Sequence, residues 1–209
     1  MGTQRHLNGY YKDEKEAQNM SRTWESPPWF VPYADNNYGE LFYSLVRIYQ
    51  PQKVVELGTK AGFTAYHIAR GLKANGKGKL YCYDLWEKYE FNSVPQKVAR
   101  KNLKDFGNII RFKLRNCLGV DKLHKKADIL IVDLGNEGGI LEKIIPFWID
   151  KTKLIIVEGG SRERDRVSWM KKYKKIPIRS WLEDFSHRRG DIQYFTIEPF
   201  PSFTIIKKS

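Results

Sequence analysis

The chain has 209 residues, a formal net charge of +13 and 41% hydrophobic residues, including six Trp and eleven Phe. That is enough apolar material to fill one domain, and it excludes a disordered chain. No apolar run approaches the roughly 20 residues that span a bilayer, which excludes a membrane-spanning helix.

The amino terminus lacks the apolar region of a secretion signal, so a cytoplasmic protein is expected. Cys82 and Cys117 read as small buried side chains, and neither belongs to a close Cys/His cluster of the zinc type. The positive charge favours polyanions: nucleic acid, anionic glycans, phosphorylated metabolites or an acidic membrane surface. The plainer reading is a solvated basic surface. Lys171-Lys172 with Lys174-Lys175, and His187-Arg188-Arg189, are dense enough to form a patch.

Residues 1–37 read as a separate segment, polar at first and then aromatic and proline-bearing from Trp24 to Tyr33. Such a segment could cover an active-site mouth, pack outside a sheet or make a homodimer contact. Residues 38–209 read as one domain. Asn36 or Asn37 is placed to cap a helix over Gly39–Tyr49, with Leu41, Leu45, Val46 and Tyr49 as its apolar stripe and Pro51 closing it.

Strands and helices then alternate. Lys53–Leu57 predicts a strand, and the pattern from Gly62 to Leu72 a helix. Lys79–Asp84 predicts a second strand, and Pro95–Phe106 a second helix of this series. In Ile109–Leu114, Arg111 and Lys113 alternate outward as on an edge strand. Asp128–Val132 is a continuous apolar run and so a central strand. A helix over Gly139–Trp148, a strand over Leu154–Val157 and a charged helix over Arg162–Lys172 follow. Tyr194–Glu198 and Phe203–Ile206 read as a terminal hairpin across Pro199–Ser202, which puts one antiparallel strand into an otherwise parallel sheet.

The first strand runs from Val54-Val55-Glu56-Leu57 into Gly58-Thr59-Lys60-Ala61-Gly62, a tight turn opening directly into a helix. Glycines let backbone approach a ligand, and the first helical turn offers unpaired N–H groups. Asp84, ending the neighbouring strand, is placed for the two hydroxyls of a ribose. A dinucleotide loop would read G-x-G-x-x-G, but here Lys60 and Phe63 occupy the second and third glycine positions. No Gly-Lys-Ser/Thr of a phosphate-binding loop ends the turn.

Glu56, Gly58, Gly62 and Asp84 resemble the first motif and following acidic position of class I S-adenosylmethionine-dependent methyltransferases, over residues 38 to 207. The resemblance implies a Rossmann-like, mostly parallel seven-stranded α/β sheet with helices on both faces and a C-terminal antiparallel hairpin. It implies S-adenosylmethionine as cofactor, held by Glu56, Gly58, Thr59, Lys60, Gly62, Thr64, Asp84 and Leu85. Asn116 and Cys117 would lie near the adenine, although Asn116 also reads as a helix cap. Lys60 departs from the small residue common in the family.

Asp133 ends the fourth strand, where the methyl group and its acceptor would meet and where it could orient a substrate hydroxyl or hold the cofactor's amino group, and Glu158 ends the fifth. Either carboxylate could act as general base, as could His187 in the stretch before the hairpin. Metal-dependent relatives carry an Asn after the second acid. Gly159 stands there in this chain, so Mg²⁺ or another divalent metal is not favoured. The Asn/Asp-Pro-Pro-Tyr/Phe signature of amino-group methylation is absent. O-methylation of a small or glycan-like acceptor is the expectation, an anionic one being compatible with the basic surface. A ribose 2′-O RNA enzyme is the first rival: Asp133 fits its Lys-Asp-Lys-Glu set, Lys60 and Glu198 fit only if forced, and Arg162 is the nearest cation after strand five. A non-catalytic binding subunit and a nicotinamide enzyme are further alternatives.

Overall fold

The structure is a computed structural model in which residues 38–89, 94–198 and 201–209 are described, the side chain of Trp169 excepted. The segment 1–37, with its expected cap at Asn36 or Asn37, lies outside them. Chain order runs α1 (Tyr38–Tyr49), β1 (Lys53–Leu57), α2 (Phe63–Asn75), β2 (Lys79–Asp84), α3 (Gln96–Asn102), β3 (Ile110–Leu114) and β4 (Ala127–Val132). It continues with α4 (Gly138–Glu142), α5 (Ile145–Trp148), β5 (Thr152–Glu158), α6 (Ser168–Lys172), α7 (Ile178–Arg189), β6 (Ile192–Ile197) and β7 (Phe203–Lys208).

The strands form one seven-stranded sheet in the order β3-β2-β1-β4-β5-β7-β6. β7 is antiparallel to both β5 and β6, so the second strand of the hairpin inserts between them. The charged strand β3 lies at one edge and the apolar β4 at the centre. Side chains alternate between faces with a period of two. Val54, Ile129 and Ile156 therefore pack under α1 and α2, while Val55, Leu130 and Ile155 pack under α4, α5 and α7. Each fully buried Leu or Ile contributes roughly 1.5–3 kcal/mol, and these opposed rows hold the sheet between its helices. No helix among the described residues is long and apolar enough to cross a membrane.

Several helices differ from expectation. The helix expected over Gly139–Trp148 breaks into α4 and α5, because Pro146 has no N–H to give and its ring crowds the carbonyl four residues back. The stretch expected as a helix over Arg162–Lys172 is a short 3-10 turn, Arg164–Arg166, followed by α6. The helix expected to reach Phe106 ends as α3 at Asn102, and a 3-10 turn, Lys104–Phe106, follows.

α7 was not foreseen. The sequence before the hairpin reads as a charged loop, yet Ile178, Trp181, Leu182 and Phe185 form a buried stripe at helical spacing. Pro177 occupies the N-cap without a capping side chain of its own. Asp165, distant in sequence, does that work: its Oδ1 accepts from Ile178 N at 2.8 Å and its Oδ2 from Arg179 N at 2.9 Å. Replacing Asp165 with Ala should lower unfolding free energy by about 1–2 kcal/mol, measured by urea denaturation, with Asp165→Asn recovering part of the loss.

Candidate active site

The strand register sets the site. Tyr83, Leu57, Val132 and Val157 pair in one level row across β2, β1, β4 and β5. The next residues, Asp84, Gly58, Asp133 and Glu158, therefore sit side by side where the strands end. By the same alternation, Glu56, Asp84, Asp133 and Glu158 continue the rows of Val54, Cys82, Ile131 and Ile156, all on the face of α1 and α2. Four carboxylates thus converge on one side of the carboxyl edge of the sheet.

The loop from Gly58 to Gly62 is held on every side. Gly58 has φ +89°, and a Cβ there would run into the Asp133 carbonyl oxygen. Its N–H donates to Tyr83 O at 2.9 Å while Asp133 N donates to Leu57 O at 2.9 Å, so the loop leaves between β2 and β4. Gly62, at φ +94°, starts α2 without a side-chain cap, and a Cβ there would lie 2.7 Å from Leu103. Lys60 has left-handed φ, +49°, unusual for a residue with a side chain. Its backbone is gripped from both ends: Asp84 Oδ2 accepts from Lys60 N at 2.8 Å, and the buried Trp86 indole donates to Lys60 O at 2.8 Å. Asn102 Nδ2 donates to Ala61 O at 3.0 Å. The Lys60 side chain is exposed, so its departure from a small residue does not obstruct the loop. Thr64 is buried in the first turn of α2, and Leu85 is half-buried beside Asp84.

Burial dominates the electrostatics. Removal from water pushes the Glu56 carboxyl up to about 8, against hydrogen bonds from Thr59 and Cys82, with Asp133 and Asp84 raising it further. Thr59 Oγ1 donates to Glu56 Oε2 at 2.7 Å. Glu158 is likewise pushed up by burial, opposed by the Arg164 guanidinium and raised by Asp133. Arg164 Nε lies 3.3 Å from Glu158 Oε1, and both side chains are buried.

Asp133 has polar neighbours on two sides, Asn136 and Glu158. Asn136 Nδ2 donates to Asp133 Oδ1 at 3.2 Å. Asn136 Oδ1 and Glu158 Oε2 are buried with no hydrogen-bond partner. Each such orphan costs about 1–3 kcal/mol, a cost that a ligand bringing N–H or O–H groups would relieve.

The sheet brings together Glu56, Gly58, Thr59, Lys60, Gly62, Thr64, Asp84, Leu85, Asp133 and Glu158. It does not bring His187. That residue is exposed in the last turn of α7, and two residues on Arg189 pairs with Asp150, just before β5, at 2.9 Å. A helix leading into a strand parallel to β5 ends at the amino edge of the sheet, so His187 lies at the end opposite the carboxylates and is withdrawn as a base. Asn116 is exposed, and its Oδ1 accepts from Leu118 N at 2.9 Å, the turn-capping role. Cys117 donates its thiol to Tyr83 O at 3.4 Å, and burial pushes that thiol up to about 12, leaving it neutral. Trp86, Asn102, Asn136 and Arg164 were missed. Only Arg164 carried a signal, a charge close after a strand-end acid; the others are joined to the site by tertiary contact alone.

This end of the sheet gathers four acidic side chains around one buried guanidinium in a chain of net charge +13, and burial holds Glu56 and Glu158 towards their neutral forms until a cation arrives. A nucleoside carrying a sulfonium and an ammonium fits such a site, with Asp84 offering acceptor oxygens to the ribose and the glycine turn admitting close backbone approach. A pyrophosphate would meet repulsion. The donors do not fit a divalent metal: Glu158 spends one oxygen on Arg164, and no group of three or more His, Cys, Asp or Glu among the described residues could hold an ion.

Comparison with known proteins bears on the fold. Residues 55–154 match a family model described as a methyltransferase domain. No curated protein matches the sequence. Among solved structures, cofactor-bound Rv0187 from MTB is 17% identical with a TM-score of 0.65, over 99% of this chain and 95% of that one. The O-methyltransferase TomG of Streptomyces achromogenes, solved with S-adenosylmethionine and involved in tomaymycin synthesis, is 17% identical with a TM-score of 0.64, over 94% and 89%. An O-methyltransferase from Bacillus cereus, in complex with SAH, is 15% identical with a TM-score of 0.63, over 98% and 96%.

The raised Glu56 pKa has a thermodynamic consequence. The group binds its proton more tightly folded (about 8) than at its ordinary value of 4.5, so its contribution to stability is full below pH 4.5 and fades as pH rises towards 8. Urea denaturation should show stability falling between pH 5 and pH 8. Glu56→Gln should reduce that fall by on the order of 3 kcal/mol, leaving the smaller part due to Glu158.

Proposed function

We propose that this chain, which carries a class I methyltransferase domain of the S-adenosylmethionine-dependent kind, moves a methyl group from that cofactor to an oxygen of a small-molecule or glycan-like acceptor. The observation that carries the reading is the level row of strand ends, where Asp84, the Gly58 turn and Asp133 follow three paired residues of adjacent strands. Asp84 holds the ribose hydroxyls through the carboxylate that also accepts from Lys60 N and Trp86 N. The loop from Gly58 to Gly62 and the first turn of α2, Thr64 included, receive the methionine end, with Glu56 and Thr59 behind them. Leu85 packs beside the ribose, and Asn116 offers its amide nitrogen near the adenine.

The bound cofactor supplies a methyl group already activated by positive sulfur, so the protein needs only to align acceptor and methyl and to take up a proton. Transfer from a bound S-adenosylmethionine would form a carbon–oxygen bond as the carbon–sulfur bond breaks, with the electron pair left on sulfur. The acceptor's hydroxyl proton passes to Asp133 or Glu158. Asn136 orients the Asp133 carboxylate through its amide, and Arg164 holds one oxygen of Glu158, which leaves the other directed to a different partner.

Calorimetric titration of the full chain tests the cofactor. S-adenosylmethionine should bind at micromolar concentration and NAD should not. Asp84→Asn should weaken the binding at least tenfold while the protein remains folded by circular dichroism. Absence of S-adenosylmethionine binding to the wild-type chain overturns the reading.

A further inference from the structure

Two features on the acceptor side have no part in holding the cofactor. One is the pair of buried oxygens without donors, Glu158 Oε2 and Asn136 Oδ1, flanking Asp133. They call for a ligand rich in hydroxyl donors. The other is the connection between β5 and α7. It is exposed at Arg162, Arg166, Lys171, Lys172, Lys174 and Lys175, and its only exposed acid is Glu163. Asp165, the other acid in this stretch, is committed to the start of α7.

This basic crest is fastened to the same strand ends. Arg164 reaches Glu158, Gly138 N donates to Ile176 O at 2.8 Å, and Lys175 Nζ lies 3.9 Å from Glu137. The crest therefore borders the place where Asp133, Asn136 and Glu158 meet. Its cations concentrate anions at that rim, whereas the carboxylates below repel them.

We infer that the acceptor is a saccharide carrying phosphate, sulfate or carboxylate groups, its hydroxyls reaching Asn136 and Glu158 while its charges rest on the crest between Arg162 and Lys175. This rests on the methyl-transfer reading above. A nucleic-acid strand suits the arrangement less well: each nucleotide pairs one phosphate with at most one free ribose hydroxyl, whereas a pyranose unit brings several hydroxyl donors to Asn136 and Glu158.

The test uses the full chain saturated with S-adenosylhomocysteine and measures calorimetric binding of a heparin-derived tetrasaccharide, neutral maltotetraose and oligouridylate. The sulfated tetrasaccharide should bind, with at least tenfold weakening between 50 and 300 mM salt, as charge-driven association requires. The exposed-site double variant Lys171→Glu/Lys174→Glu should lose at least tenfold in tetrasaccharide affinity with S-adenosylmethionine affinity unchanged. Asn136→Gly, which suits the positive φ of that residue, should weaken the tetrasaccharide severalfold, a response that mere adhesion to a basic surface would not give. Undiminished binding in either variant, maltotetraose binding as tightly as the sulfated sugar, or no tetrasaccharide binding overturns the inference. Oligouridylate binding tenfold tighter overturns it in favour of RNA. Because S-adenosylmethionine is titrated in parallel, failure of the saccharide with cofactor binding intact leaves the methyl-transfer reading standing.

Discussion

The site depends on how the Asp84 carboxylate is used. One oxygen takes the backbone N–H of Lys60 and the other that of Trp86, both at 2.8 Å. A single side chain thereby ties the turn after β1 to the turn after β2. Lys60 is held in a left-handed conformation that a free loop would seldom adopt, and Trp86 closes the clamp from the far side. The two oxygens of a carboxylate offer about four acceptor sites, so the group that builds the turn is also of the kind that recognises ligand hydroxyls. Preorganisation and recognition reside in the same atoms, and loss of Asp84 would disturb both.

The clamp also explains why so much negative charge is tolerated. The strand register brings Glu56, Asp84, Asp133 and Glu158 to one edge, with Arg164 as the buried counter-charge. Burial answers by raising Glu56 and Glu158 towards neutrality rather than by supplying further cations. A cationic ligand would reverse that shift, because it stabilises the ionised carboxylates. Such a site is costly to maintain when empty and complementary to a sulfonium when filled, a frequent relation between folding stability and binding.

The chain separates its charge by position. Acidic side chains gather at the strand ends, and exposed lysines and arginines crowd the connection between β5 and α7. A cofactor that is positive at its reactive end and an acceptor that is negative at its periphery would each find the opposite field. The net charge of +13 is therefore poor guidance to the site itself, where acidic side chains predominate.

The sequence by itself determined the alternation of strands and helices, the edge position of the charged β3, the central position of the apolar β4 and the inserted antiparallel strand. These follow from local periodicity, and periodicity is written along the chain. It also determined the glycine turn with Glu56 and Asp84, since two glycines four apart between a strand and a helix admit few conformations. Tertiary structure decided the rest. Asp165 starts α7 from thirteen residues away, which turned a charged stretch into a helix and carried His187 to the wrong end of the sheet. Trp86, Asn102 and Asn136 join the site through side-chain reach, and Arg164 pairs with Glu158 because a 3-10 turn folds back over the strand end. Hydrogen bonds and ion pairs of this kind form between groups brought close only by the packed sheet, so no spacing along the chain reports them.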